Sequence, residues 1–498
     1  MRYFLSVDLG TISVKVTLFN VKGKIVSIQS GKSEYFIKGD RVEIDIRKYW
    51  KLCLSLIKRL IVENDVAKRS LKCLIFSGQS DTLVAVDRRG LPLIDGISWL
   101  DNRSKEEAKL IFENFGADYI HKKTGQFDCI PTWMATKIFW LRRNSYDLFK
   151  KVHKFLNVED YFTYKLTGNY ITDYTLPSDS LLMDVNKGKY WNEMLDFIGV
   201  DEKRLPAIVQ PGKVLGKISE KIAEEIGLKS DVLVCQGGLD HAISMIGCGN
   251  IQEGMCSEST GGALGMCITW KDKPEVSSIR NLPIMKHVLD DMYYFFPWSP
   301  TAGLVIEWYA NNFFPKIRKK HDFYEKLNEE MLKKTKPGSE GIVFLPFLLG
   351  AGSPGIKSSP KGLIYGLRLN HSKYLVLRSI YESIGFMIKR NLEFLEENNV
   401  KIREIVTIGG GAKSNVLNQI KADVTCKKIL LPETTECVSL GNFILCAVST
   451  NVFSNIREAI EKIVRYKKIF SPDVKTLEIY KKNFDLYKKL IELVKHLQ

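Results

Sequence analysis

Two stretches about half a chain apart share one design, and they limit what this chain can fold into. "SVDLGTISVKVTLFN" begins at Ser6 and "SESTGGALGMCITW" at Ser257; each sets a bend of small and glycine residues between two strand-like runs. That spacing predicts two similar halves facing each other. No Pro- or Gly-rich linker marks the junction, so we set the boundary near Gly247, with domains over residues 1–247 and 248–498. A chain of 498 residues that is 45% hydrophobic exceeds what one core usually supports, in keeping with two domains.

Between the bends, short β runs alternate with helical patterns. "KCLIFSG", "EEAKLIFENFG" and "DVLVCQGG" are followed by a helix from about Asp240 and by strands near residues 256 and 266, which makes an α/β protein. In the first bend Ile12, Val14, Val16 and Leu18 share one parity and Ser13, Lys15 and Thr17 the other, the pattern of a half-buried strand. "YLVLRSIYESIGFMIKRNLEFLEENNV" has helical periodicity over several turns and reads as a long, largely buried helix; "IREIVTIGGGAKSN" reads as strand, glycine turn and helix start. The C-terminal "LEIYKKNFDLYKKLIELVKHL" is amphipathic, suited to packing or to self-association as a homodimer.

The 73 Lys and Arg exceed the 57 Asp and Glu by 16 charges, but the lysines are spread along the chain and interrupted by acids and apolar residues. A solvated surface accounts for that pattern better than a nucleic-acid groove, and an anionic small substrate such as ATP would benefit from it. Ten cysteines occur without CxxC pairs, mostly in apolar contexts, as expected of buried thiols in a reducing compartment. No segment approaches the 18 apolar residues of a membrane span, so the expectation is a cytoplasmic protein with no membrane partner.

Certain polar residues stand where chemistry could use them. The first bend gathers Asp8, Thr11, Ser13 and Lys15 with free backbone N–H groups, a composition suited to phosphate and Mg²⁺, although Asp8 and Gly10 could equally serve only the turn. "GKS" at Gly31 is no P-loop, because the first glycine would have to stand at position 26, which is Val26. In "VLVCQGGLDHAISMIGCG" a strand ends in Gly237 and Gly238 before a small-residue helix, so Asp240 is either an N-cap or a carboxylate able to take a hydroxyl proton. Gly409, Gly410 and Gly411 open the backbone to a flat ring or a phosphate without matching a dinucleotide fingerprint. Gln79, Ser80, Asp81, Asp101 and Arg103, with Trp99 nearby, would hydrogen-bond a polyhydroxylated ligand.

Taken in order from Tyr3 to Val448, these segments resemble the FGGY family of carbohydrate kinases. "DLGTISVK" is similar to its first phosphate motif, "GQSDT" and "WLDNR" to its sugar segments, and "GGLDHAISMIGCG" to the block carrying its catalytic aspartate. "STGGALG", "TAGLVIEW", "FLPFLLGAGSP", "GGGAKSNVLNQIKADV" and "ECVSLGNFILCAV" continue the series. The resemblance implies two ribonuclease-H-like domains of the actin, hexokinase and Hsp70 type flanking a deep cleft. It implies an ATP- and Mg²⁺-dependent kinase with Asp240 as general base and Asp8 on the metal. Thr11, Ser13, Lys15, Thr260, Gly261, Gly262, Gly303, Gly411, Ala412 and Asn415 would meet ATP; Gln79, Ser80, Asp81, Asp101, Arg103 and His241 would meet the sugar. Two departures stand out. Ser259 replaces the family's glycine before Thr260, and the segment after Gln79 matches neither the xylulose nor the glycerol kinase pattern. A ketopentose such as xylulose is the expected substrate, with glycerol or another short polyol as the alternative. From a different class, a non-metabolic ATPase switch of the same superfamily would need neither Gln79, Asp81 nor a base at Asp240.

Overall fold

Each half of the molecule is built around one buried strand with an antiparallel neighbour on one side and a parallel neighbour on the other. The computed structural model describes residues 2–65, 70–271, 279, 281–315, 322–354 and 360–495. In the N-terminal half Tyr3–Leu9 pairs antiparallel with Ser13–Asn20, which pairs onward with Ile25–Lys32. On its other side Tyr3–Leu9 runs parallel to Leu71–Gly78, which runs parallel to Leu233–Leu239, and antiparallel Val214–Lys217 closes the edge. The C-terminal half repeats the pattern. Met255–Thr260 pairs antiparallel with Leu264–Trp270 and parallel with Glu404–Ile408, followed by parallel Lys428–Pro432 and antiparallel Tyr466–Phe470. The echo between the two bends is therefore an echo of whole sheets.

The parity expected of the first hairpin holds only in part. Val14, Val16 and Leu18 are fully buried, but Ile12 is 80% exposed at the tip of the bend, and Thr17 on the opposite face is fully buried as well. The cause lies at the other end of the chain. Helix Cys437–Ser449 lies on this sheet, so that Thr17 Oγ1 meets Ser439 Oγ at 3.1 Å and Asn442 donates to Ser6 (3.0 Å) and Ser77 (2.7 Å). Helix Asp240–Cys248 packs along the same helix through reciprocal glycines. A Cβ at Gly247 would come within 1.8 Å of the Cys437 carbonyl oxygen, and one at Gly441 within 2.1 Å of the Ile243 carbonyl oxygen, so neither position accepts a larger residue without separating the helices. This pair forms the centre of a core shared by Phe4, Phe19, Ile75, Leu440, Phe443 and Ile444.

The long helix spans Lys373–Glu397 and is buried over most of its length. The C-terminal helix Leu477–Lys495 buries Tyr480, Phe484, Tyr487, Leu490 and Ile491 within the same chain, so its apolar face is spent on packing. Gly31 belongs to the outer strand Ile25–Lys32, where a side chain would meet Leu52, and cradles no phosphate. Nine of the ten cysteines are buried free thiols, with Cys426 exposed. Among the described residues, no helix is long and apolar enough to cross a membrane.

Candidate functional site

Parallel strands deliver their last residues to one edge of a sheet, and here that edge carries both acids singled out in the sequence. Asp8 stands one residue before the end of Tyr3–Leu9, opposite Lys15; Asp240 follows directly on Leu233–Leu239 and opens the helix. The expected end of the strand at Gly237 and Gly238 is instead a register shift within it, since Leu233–Leu239 runs on to Asp240; a Cβ at Gly237 would lie 1.7 Å from the Phe76 carbonyl oxygen, and Gly238 packs against Thr175 and Asp173. Asp240 is the first helical residue rather than the residue before it. Its carboxylate accepts the His241 amide at 2.6 Å, with Nδ1 of the same histidine at 3.6 Å, and it stays 29% exposed. The His241 ring lies 4.4 Å from that of Phe296.

Asp8 and Asp240 share one electrostatic environment. Burial, then repulsion from Asp240, pushes the Asp8 carboxyl up to about 7, with Lys15 acting in the opposite direction and Glu436 adding to the rise. Lys15 pairs with Glu436, at the start of helix Cys437–Ser449. Thr11 accepts a hydrogen bond from Trp99 Nε1 (2.9 Å) and donates to Gln79 Oε1 (3.1 Å), whose amide in turn reaches Tyr35 (3.1 Å). That network ties the first bend to the segment that starts at Gln79. Ser13 is half-buried opposite Lys32.

Behind Gln79 the polar residues form two groups. Ser80 donates to Asp179 Oδ2 at 2.7 Å, and Asp81, held at φ 60°, accepts the Met134 amide at 2.6 Å while its own carbonyl accepts from Lys137 Nζ at 2.6 Å. Burial, reinforced by Asp179, drives the Asp81 carboxyl well above the carboxylate range; burial also takes Asp179 up to about 6 and Lys137 down to about 7. Asp101 and Arg103 stand apart. The fully buried Asp101 carboxylate accepts from the Val42 amide (2.6 Å) and from Arg103 (2.7 Å), and Arg103 also bridges to Glu43 and covers the Trp140 ring. These internal bonds fix both side chains to the strand Arg41–Ile44 and to one another.

The second bend brings the remaining candidates together. Gly303 donates its amide to the Gly261 carbonyl at 2.9 Å and has room only for hydrogen, since a Cβ would lie 2.3 Å from that oxygen. Gly411 has its missing Cβ 2.6 Å from that of Thr260, with Ala412 buried and Asn415 exposed at the start of Asn415–Thr425. Ser259 is accommodated because Gly409, at φ 73°, leaves space for its hydroxyl, while Gly261 makes the turn by bonding to Ala263 at 2.9 Å. Two acids at one sheet edge, a cluster of polar groups behind Gln79 and a second, glycine-lined bend are the parts that phosphoryl transfer between two small ligands requires.

Known proteins agree with that reading. The model "FGGY family of carbohydrate kinases, N-terminal domain" matches residues 3–247, and its C-terminal counterpart matches residues 267–450. The chain belongs to the FGGY family of carbohydrate kinases. It is 26% identical over 493 residues to the xylulose kinase of Staphylococcus xylosus, covering 99% of this chain and all of that one. Two solved structures from Lactobacillus acidophilus share its fold. The gluconate kinase superposes with a TM-score of 0.91 at 23% identity over 99% of this chain and 98% of its own; the ligand-bound xylulose kinase does so with 0.91 at 22% over 100% and 99%. The protein is thus an enzyme, a carbohydrate kinase that takes its phosphate from ATP, and the ATPase-switch alternative gives way.

Two features of this kinase escape sequence reading. Glu258 and Lys421 form a fully buried ion pair at 2.6 Å, and Glu258 also accepts from Thr260 (2.8 Å) and Thr407, which fixes the hydroxyl at the second bend. Asp179 reaches the site through Ser80 and lies close enough to His241 and Asp240 to feel both. The available signal was a charge in an apolar or small-residue setting: "MCSESTGG" for Glu258, "LPSDS" for Asp179.

Proposed function

We propose that this kinase phosphorylates a ketopentose, xylulose being the first candidate, at a primary hydroxyl. Asp240 is the general base and Asp8 the carboxylate for Mg²⁺, bound directly or through water. The observation that carries the reading is the placement of Asp8 and Asp240 at one sheet edge, near enough that Asp240 adds to the rise of the Asp8 carboxyl. A carboxylate whose ionised form is disfavoured by burial and by a like charge is one that a cation stabilises, so the residues fit the metal. When bound, Mg²⁺ would offset the charge of the ATP phosphates.

The chain's own groups then do the rest. Asp240, tethered by the His241 amide, accepts the proton of the attacking hydroxyl as that oxygen bonds to the γ-phosphorus and the bond to ADP breaks. Gln79, Ser80 and the carboxyls of Asp81 and Asp179 orient the sugar, with His241 against one side. Thr11 and Ser13 at the first bend, and Thr260, Gly261 and Gly262 at the second, approach the phosphates. Gly303, Gly411, Ala412 and Asn415 frame the nucleoside. The domain boundary is best drawn at Gly247, where the Asp240 helix meets Cys437, and the buried thiols suit a reducing cytoplasm.

The ketopentose reading draws on the xylulose kinase relatives. Its test is an ADP-release screen over ketoses, aldoses, aldonates and short polyols. Xylulose is expected to give the highest kcat/KM, and a larger value for glycerol or gluconate overturns the assignment. With a non-hydrolysable ATP analogue present, a bound sugar at a hundred times its Kd raises stability by about 2.7 kcal/mol, so melting separates binders from bystanders.

A further inference from the structure

Three thiols from three separate elements meet beneath the active edge. Cys73 lies on Leu71–Gly78, the strand that leads to Gln79; Cys235 on Leu233–Leu239, which leads to Asp240; Cys446 on helix Cys437–Ser449. All three are fully buried. The Cys446 thiol donates to Cys73 at 3.0 Å and Cys73 to Cys235 at 3.2 Å, and the three sulfurs lie within 4.8 Å of one another. The neighbouring Cys446 and Cys73 thiols hold the Cys235 thiol below its usual range, while burial pushes those two up. Cys235 is thus the most readily deprotonated of the three, and Cys73 links it to Cys446.

We propose that Cys73, Cys235 and Cys446 form a three-sulfur site for a thiophilic d¹⁰ cation of the Cu(I) class. Sulfur selects soft cations over the hard ones used in phosphoryl transfer, which separates this site from the one at Asp8. Zinc is almost always four-coordinate in structural sites, and among the described residues no histidine or carboxylate completes the group. Two sulfurs sharing a cation at about 2.3 Å can stand no more than ~4.6 Å apart, close to the span of this triangle. A surface cavity of about 880 Å³ is walled by Gly212, Leu445 and Ser449, of which Leu445 is the chain neighbour of Cys446, while the three sulfurs themselves are covered. Each thiol that ligates exchanges its proton for the cation, so binding releases protons. The bound ion would fasten the strands leading to Gln79 and Asp240 to the helix that follows Glu436.

The test is anaerobic titration of the reduced, full-length enzyme with Cu(I) in competition with a copper(I) chelator. One equivalent per chain is expected to be retained, with a near-ultraviolet thiolate-to-copper band and a raised melting midpoint. Cys73→Ser and Cys446→Ala should each lose that equivalent, and Cys426→Ser should keep it. X-ray absorption of the loaded wild-type protein should find sulfur-only ligation, a measurement that stands even where a cysteine variant fails to fold. Surrender of all copper to the chelator, retention unchanged in both core variants, or nitrogen and oxygen ligands in the absorption spectrum would each overturn the site. A Cys73–Cys446 disulfide whose reduction restores no copper binding would do so too.

Discussion

Asp8 in the first half and Glu258 in the second sit on corresponding strands, yet one is left to chemistry and the other is neutralised inside the protein. The last paired residues of those strands are Leu9, opposite Val14, and Thr260, opposite Leu264. Counting back, Asp8 corresponds to Ser259 and Glu258 to Val7. Successive strand residues point to opposite faces, so a shift of one residue sends Asp8 toward Asp240 and Lys15, and Glu258 into the core against Lys421. Parity, not residue type, separates the metal-binding candidate from the structural acid.

The largest effect expected falls on the partner that Asp8 faces. Asp240→Asn should lower kcat by about 10²–10⁴-fold, the usual contribution of a positioned base, with little change in melting or in ATP-analogue binding. Near-normal turnover would remove Asp240 from the mechanism and leave Asp8 without its counterpart.

The second half should respond in stability instead. Lys421→Met leaves Glu258 buried with no cation and should cost about 3–5 kcal/mol in urea unfolding, whereas adding Glu258→Gln should recover much of it. A single variant as stable as wild type would mean that this pair is not what holds Thr260 in place.

Asp8 should show the opposite sign. Its folded pKa, about 7, lies above the ordinary 3.8. The native state therefore holds a proton that the unfolded state has released, and stability falls as pH rises from about 4 through 7. Asp8→Asn should flatten that slope, melt higher than wild type at pH 8, and lose Mg²⁺-dependent turnover. In the wild type the proton competes with the cation, so apparent Mg²⁺ affinity should climb with pH until about 7 and then level off. A pH-independent Mg²⁺ requirement would contradict the metal assignment.

These contrasts also explain what could be read in advance. The paired halves, the long helix and the acids at residues 8 and 240 were legible because glycine bends and hydrophobic periods are local signals. The fate of Lys15 was not, since Glu436 lies 421 residues away, and only the docking of Cys437–Ser449 on the first sheet brings them together. The same docking buries Thr17 against the pattern of its strand. The internal bonds of Asp101 and Arg103 were hidden for a different reason. Two residues apart, they satisfy one another, a local ion pair that composition does not distinguish from a ligand site.

The smallest expected effect concerns the bend itself. Gly411 abuts Thr260, whose Cβ and carbonyl oxygen stand 2.6 and 2.9 Å from where a methyl would go, so Gly411→Ala must push the turn off the second hairpin. Overpacking of this kind costs about 1–3 kcal/mol, and a displacement confined to the nucleotide side should raise the KM for ATP roughly tenfold while leaving the sugar KM in place. The first bend has no equivalent neighbour: a Cβ on Gly10 meets only Ser13 of its own hairpin, at 2.9 Å. If Gly411→Ala disturbed both substrates equally, the second bend would not be a separate nucleotide-side element, and the division of labour between the halves would fail with it.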